Sequence, residues 1–165
     1  MLCSRVLQER FGRVVDDVRG LYETHGPALL AYASALLRNP SAAEDVLHQV
    51  FLNLLRGRVS ITGEPAAYLF RAVRNGALNH IRGQSREADL TDAAVWLESP
   101  DGSRETSLAL QSVLRTLPSE QREVIVLRIW GQLTFEEAAD VIGISPNTAA
   151  SRYRYGMAKL KEIWK

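Results

Sequence analysis

Apolar positions recur at helical spacing along most of this chain, and they predict helices separated by short breaks. Residues 1–20 carry Val6, Leu7, Phe11, Val14, Val15 and Val18 at loosely helical intervals, a helical or frayed lead-in. The pattern then sharpens into a helix from about Pro27 to Arg38, with Leu29, Leu30, Ala33, Leu36 and Leu37 as its buried stripe. Asn39-Pro40 breaks it, and Ser41 is the expected cap of the next helix, with Glu44 at the capping-box position. That helix buries Val46, Leu47, Val50, Phe51, Leu54 and Leu55 and turns Glu44, Asp45, His48, Gln49, Leu52 and Asn53 outward. Leu52 among polar neighbours suits either a partner surface or a single exposed leucine. After a loop from Gly57 to Glu64, Pro65 opens a third helix. Ala66, Leu69, Phe70, Val73, Ala77, His80 and Ile81 share one side of it, and Arg71, Arg74, Asn75, Asn79 and Arg82 the other.

Residues 83–106 lose this periodicity and read as an interdomain linker, with Trp96 and Leu97 as apolar points that could dock part of it. Helices resume at SLALQSVLRTL and stop at Pro118. The next is expected to be capped by Ser119 and buried through Val124, Ile125, Leu127 and Trp130. Thr134 and Glu137 form a capping box for a short helix with a small apolar face of Ala138, Ala139, Val141 and Ile142. Gly143 can take the positive φ needed to end it, Ile144 fills the corner, Ser145 caps a final helix and Pro146 occupies its first position. The fold class is therefore all-α, two small helical domains joined by a flexible linker.

A helix corner followed by a polar, basic helix is the helix-turn-helix pattern, in which the second helix enters the major groove. From Pro146 onward there are five basic residues and one acid. A helical hairpin with a solvated basic face fits the same pattern. The Ser-Pro-Asn-Thr at residues 145–148 favours DNA, because short hydrogen-bonding side chains suit base edges and phosphates better than a core.

Composition adds to this only through the placement of charge. The 165 residues are 46% hydrophobic and 24% charged, as in a globular protein, and a net charge of +1 gives no general argument for nucleic acid. Residues 56–86, however, hold six arginines and a single acid, Glu64, while the linker is mostly acidic. An acid-free stripe at Arg71, Arg74 and Arg82 is unusual for a surface helix, which normally mixes signs, and it favours contact with a nucleic-acid backbone over a merely solvated face. Cys3 is the only cysteine and His25, His48 and His80 are scattered, so neither a disulfide nor a metal site is expected. No apolar run resembles a signal peptide or a membrane span, which points to a cytoplasmic protein without membrane insertion. Neither a nucleophile–base pair, nor paired carboxylates, nor a phosphate-cradling glycine loop is present, so no enzyme and no cofactor is expected. The adjacent acids Asp16-Asp17 and Glu136-Glu137 fit capping and solubility.

Four segments in order carry a family resemblance: LYETHGPALLAYA, AEDVLHQVF, AAYLFRAVRNGALNHIR and LPSEQREVIVLRIWGQLTFEEAADVIGISPNTAASRYRYGMAKL. From Leu21 to Lys165 the chain resembles the extracytoplasmic-function (ECF) sigma factors of bacterial RNA polymerase. The resemblance implies a sigma domain 2 over residues 21–84, an acidic linker over 85–106 threading toward the RNA exit path, and a sigma domain 4 over 107–165. It implies core polymerase and promoter DNA as partners, with an anti-sigma factor as a further one. Glu44, Asp45, His48, Gln49, Leu52 and Asn53 would face the β′ clamp helices, and the second domain the β flap. Arg58, Ser60, Thr62, Arg71, Arg74, Asn75, Asn79 and Arg82 would meet the −10 element, arginines on phosphates and the loop on an unstacked base. Ser145, Asn147, Thr148, Ser151, Arg152, Arg154 and Lys159 would meet the −35 element.

The chain departs from the family pattern at several points. Gln49 stands in place of a usual acid and Asn79 in place of a frequent aspartate. Ala149 replaces a larger aliphatic, Ala150 a polar residue, and Tyr153 and Tyr155 a leucine and a basic residue, so no promoter sequence carries over. A conventional helix-turn-helix regulator that binds duplex DNA as a dimer is the alternative, and a helical interaction protein with decayed DNA binding a third. An acid-free arginine face in a sensor domain speaks against the regulator. No further sensing domain follows in this sequence, so regulation from outside the chain is expected.

Overall fold

The computed structural model describes residues 2–61, 63–84, 109 and 112–165, so the acidic linker and Thr62 lie outside the described residues. The first helix, α1, spans Leu2–Leu37, where the pattern predicts a separate lead-in and a helix opening at Pro27. Pro27 sits inside it. A proline interior to a helix removes one backbone hydrogen bond and crowds the preceding turn, yet packing on both sides of it outweighs that cost. Val18 is buried, Leu21 packs against the core, and the Tyr22 ring meets Phe51 edge-on at 5.1 Å between centroids.

Helix α2 spans Pro40–Leu55. Its cap is Asn39, not Ser41: the Asn39 side chain accepts from the Ala42 amide at 3.1 Å. With Pro40 pre-set for the first helical position, the cap falls on the residue just before it. Helix α3 spans Pro65–Gln84. Ile81, expected on its buried side, is 44% exposed, because residues 81–84 form a last turn that is exposed throughout. These three helices pack on one another through Leu29, Leu47, Phe51, Leu69 and Val73.

A helical turn at 112–115 brings in buried Leu114 and leads to buried Leu117. Helix α4 spans Ser119–Ile129, with Pro118 in the cap position and no side-chain cap, so Ser119 is the first helical residue rather than the cap. Val124, Ile125 and Leu127 are fully buried as expected, Val126 is fully buried as well, and Trp130 is only partly buried. Helices α5 (Phe135–Ile142) and α6 (Pro146–Ile163) complete the chain.

One core runs through both halves. Tyr32 of α1 and Phe70 of α3, both fully buried and 5.5 Å apart in an edge-on pair, belong to the same apolar cluster as Val126, Leu127, Leu133 and Val141. The approach is close at Gly131, where a Cβ would stand 3.0 Å from the tip of the Phe70 ring and 2.6 Å from the Leu127 carbonyl oxygen. Among the described residues no helix is long and apolar enough to cross a membrane.

Candidate nucleic-acid interface

The corner at α5 and α6 forms as its sequence predicts. Thr134 Oγ1 accepts from the Glu137 amide at 3.1 Å, and Glu137 returns the bond to the Thr134 amide at 2.8 Å. Gly143 takes φ +83°, and the amides of Gly143 and Ile144 both donate to the Ala139 carbonyl, closing the helix end. Ser145 then caps α6 by accepting from the Thr148 amide at 3.1 Å. Ala149 is fully buried with Val124 and Ala139, and Ile144 packs against them. Its small side chain, a departure from the family pattern, lies where the two corner helices and α4 meet. Tyr153, another departure, sets its ring against Phe135 at 5.5 Å and belongs to the packing. Gly156 lets α6 lie close on α4, since a Cβ there would reach 2.6 Å from Ile125 Cδ1.

This packing leaves Ser145, Asn147, Thr148, Arg154, Tyr155 and Lys159 exposed and Ser151 half-buried. Arg154 Nη2 donates to Ser151 Oγ at 3.3 Å, and the Ser145 and Thr148 hydroxyls lie 2.8 Å apart. Arg152 turns the other way: its guanidinium lies 3.5 Å from the Glu120 carboxylate at the start of α4.

The polar side of α3 divides in two. Asn75 and Asn79 face α2 across a groove of about 590 Å³, whose rim also carries Asp45, Gln49, Asn53 and the loop residue Val59. Gln49 Nε2 donates to Asn53 Oδ1 at 3.0 Å, and His80 Nε2 is buried here with no hydrogen-bond partner among the described residues. The groove is narrow-walled because Gly76 meets α2 closely: a Cβ would stand 2.9 Å from Val46 Cγ1. Asp45, Gln49 and Asn53, expected at the polymerase, thus share one groove with Asn75 and Asn79, expected at the −10 element. Arg58 and Ser60 stand exposed on the loop at its end, and Glu44 and His48 are exposed on α2 beside Leu52, which is 39% exposed. Arg82 lies on the exposed last turn of α3.

Arg71 and Arg74 face the second half of the molecule instead. Arg74 Nε donates to Glu123 Oε1 at 2.7 Å, and the same oxygen accepts the Tyr32 hydroxyl at 2.6 Å. Burial works against the Arg74 charge, but its hydrogen bond and charge contact with Glu123 outweigh that and hold its pKa above the ordinary arginine value. Burial, reinforced by the Glu123 charge and hydrogen bond, raises the Tyr32 pKa well above the ordinary tyrosine value, so the phenol stays protonated and donates. On the outer edge Arg71 pairs with Asp140 of α5.

Two buried charges escaped the sequence pattern. Glu123 is one. The other is Arg122, whose Nε donates to the Leu114 carbonyl at 2.9 Å and whose Nη2 donates to those of Leu117, at 2.9 Å, and Arg115, at 3.3 Å. These carbonyls end the preceding helical turn, where the Leu114 carbonyl also accepts from the Leu117 amide at 3.2 Å, and helix geometry leaves the last carbonyls short of intrahelical donors. The signal for both was the unbroken Val124–Leu127 run, which says that the middle of α4 is buried on every side.

The chain matches the Sigma-70 region 2 family over residues 21–87 and the Sigma-70 region 4 family over residues 107–160. It is 30% identical to RNA polymerase sigma factor CarQ of Myxococcus xanthus, with 94% of each chain covered. It is 31% identical to the RNA polymerase sigma-E factor of Streptomyces coelicolor over 84% of this chain and 81% of that one. Its fold is similar to that of the sigma factor RpoE in complex with the anti-sigma factor NepR from Bartonella quintana, at TM-score 0.75 and 23% identity, covering 90% of this chain and 96% of that one. It is also similar to CnrH in complex with the cytosolic domain of CnrY, at TM-score 0.61 and 26% identity, covering 95% and 88%. With regions 2 and 4 matched in order and a relative similar from end to end, the chain belongs to the ECF family of RNA polymerase sigma factors, initiation factors that bind core polymerase and direct it to promoters.

Proposed function

We propose that this sigma factor reads its promoter at two separated surfaces and makes no bond itself, leaving RNA synthesis to the polymerase. The −35 surface is the first turns of α6, where Ser145, Asn147, Thr148 and Ser151 face base edges and phosphates, with Arg154 and Lys159 on the backbone. Arg152, held at Glu120, positions the helix from behind. The −10 surface is the loop carrying Arg58, Ser60 and Thr62 together with Asn75 and Asn79 in the groove, where amides can pair with an unstacked base. Arg71, Arg74 and Arg82 follow its phosphates. Glu44, Asp45, His48, Gln49, Leu52 and Asn53 meet the β′ clamp helices, and the region-4 half meets the β flap.

The observation that carries this reading is the exposed first turn of α6, capped by Ser145 and backed by the buried Ala149. The division runs as 1–20 lead-in, 21–84 domain 2, 85–106 linker and 107–165 domain 4, in a cytoplasmic protein. Two structural relatives were solved with an anti-sigma factor or a cytosolic partner domain bound, and an inhibitor of that kind is proposed for this chain too.

Run-off transcription from a genomic fragment library, using core polymerase from the source organism with and without this protein, is the direct test. Discrete new start sites sharing two upstream elements are expected, and Asn147→Ala should weaken dependence on the upstream one. Start sites sharing only a downstream element would overturn the assignment of α6.

A further inference from the structure

We propose that Tyr155 is a further promoter contact, its phenol donating a hydrogen bond to a backbone phosphate of the −35 element. This inference rests on the reading of α6 as the −35 surface.

Tyr155 is 66% exposed, more than any other large apolar side chain among the described residues. The other tyrosine of α6 shows the contrast: Tyr153 sets its ring against Phe135 and packs beside Ala149. Tyr32 likewise uses its hydroxyl within the fold, donating it to Glu123. Tyr155 has neither a ring partner nor a hydrogen-bond partner among the described residues. A hydroxyl on a rigid ring thus stands in solvent on the helix assigned to DNA.

Helix geometry fixes what it faces. At about 3.6 residues per turn, Thr148, Tyr155 and Lys159 fall within about 40° of one another, and all three are exposed. Tyr155 stands about 10 Å along the axis from Thr148. The 18 residues of α6 span about 27 Å, more than twice the roughly 12 Å width of the major groove. Such a helix meets base edges with its first turns and then passes the groove wall. Thr148 therefore lies over the bases, and Tyr155, two turns on, lies beside the phosphates.

The neighbouring charges say why a neutral donor matters there. Arg152 is held at Glu120, 3.5 Å away, and Arg154 Nη2 donates to Ser151 Oγ at 3.3 Å. Lys159 continues the line one turn beyond Tyr155. A phenol offers a phosphate one O–H on a side chain with only two torsions to fix. It displaces no condensed counterion, so its contact keeps its strength as salt rises, where a lysine or arginine contact loses it.

The test uses holoenzyme assembled from core polymerase and the full chain. Its partner is a fluorescein-labelled promoter duplex taken from a start site that run-off transcription maps. Affinity is measured by anisotropy between about 50 and 200 mM KCl. Tyr155→Phe, at an exposed position, is expected to weaken binding about fivefold at every salt concentration and to leave the slope of log affinity on log salt unchanged. Tyr155→Arg should bind at least as well as the parent at low salt and steepen that slope by about 0.9. An unchanged slope for Tyr155→Arg would mean that no phosphate lies there, and would overturn the proposal. Full affinity in Tyr155→Phe would do the same. If Tyr155→Ala then loses binding, the ring meets a base instead. In a scan of single methylphosphonates through the −35 element, the parent and Tyr155→Phe should become equal at one phosphate. No such phosphate on either strand would sink the contact. Asn147→Ala, measured beside these, separates the two readings. If it weakens binding while Tyr155→Phe does not, the Tyr155 contact alone is wrong. If neither weakens binding, the reading of α6 is wrong and the contact falls with it.

Discussion

At the scale of single residues, local chemistry predicted the caps of the corner between α5 and α6 correctly, misplaced those at Ser41 and Ser119, and missed the buried charges. Thr134, Glu137, Gly143 and Ser145 each hold the role their neighbours in sequence imply, since a cap is made within four residues. Arg122 and Glu123 do not, because their partners lie elsewhere in space: Leu114, Arg115 and Leu117 for the one, Tyr32 and Arg74 for the other. Burial lowers the Arg122 pKa from its ordinary value, with Arg38 and Arg115 adding repulsion, and the carbonyls are what keep its charge inside. Arg122→Met retains much of the stem and removes the fork. It is expected to cost about 2–4 kcal/mol in urea denaturation, since buried acceptors lose their donors. Arg122→Lys should recover only part of this, because an ammonium cannot span carbonyls that a planar fork reaches together. A cost near zero for Arg122→Met would mean that water replaces the guanidinium.

At the scale of elements, helix existence was legible and helix ends were less so. The apolar stripe of α2 appears nearly as read, with Val46, Leu47, Val50, Phe51 and Leu54 buried and Leu55 only partly so. Its start was misplaced by two residues, since Ser41 and Asn39 are both good caps and only Pro40 decides between them. The join across Pro27 was invisible, because the contacts that hold α1 continuous, such as Tyr22 on Phe51, connect distant segments. The corner before α6 offers a clean measurement. Thr134→Ala removes one half of a reciprocal cap and is expected to lower stability by about 1 kcal/mol in chemical denaturation. Gly143→Ala places a Cβ at φ +83°, with open space around it, so its cost of about 1–2 kcal/mol comes from the backbone alone. Both should also weaken transcription from promoters that depend on the −35 element, as the first turn of α6 loses its fixed direction.

At the scale of the whole molecule, the order of the two sigma regions could be read along the chain, but not that they share a core. Periodicity describes which face of each helix is apolar and says nothing about which distant face it meets. The arginine stripe of α3 shows the consequence: Arg71, Arg74, Asn75 and Asn79 form one polar side by sequence, yet two meet carboxylates of the second half and two line the groove against α2. A shared core makes a further prediction about cooperativity. Phe70 is fully buried, packs on Tyr32 and closes against Gly131, so Phe70→Ala is expected to cost about 3–5 kcal/mol. Because that contact belongs to both halves, the loss should appear in both. Native-state hydrogen exchange should show the amides of Val73 in α3 and Leu127 in α4 losing protection together in the variant. Exchange that accelerates in α3 while α4 keeps its full protection would mean that the halves are stable separately and that Phe70 serves only the first.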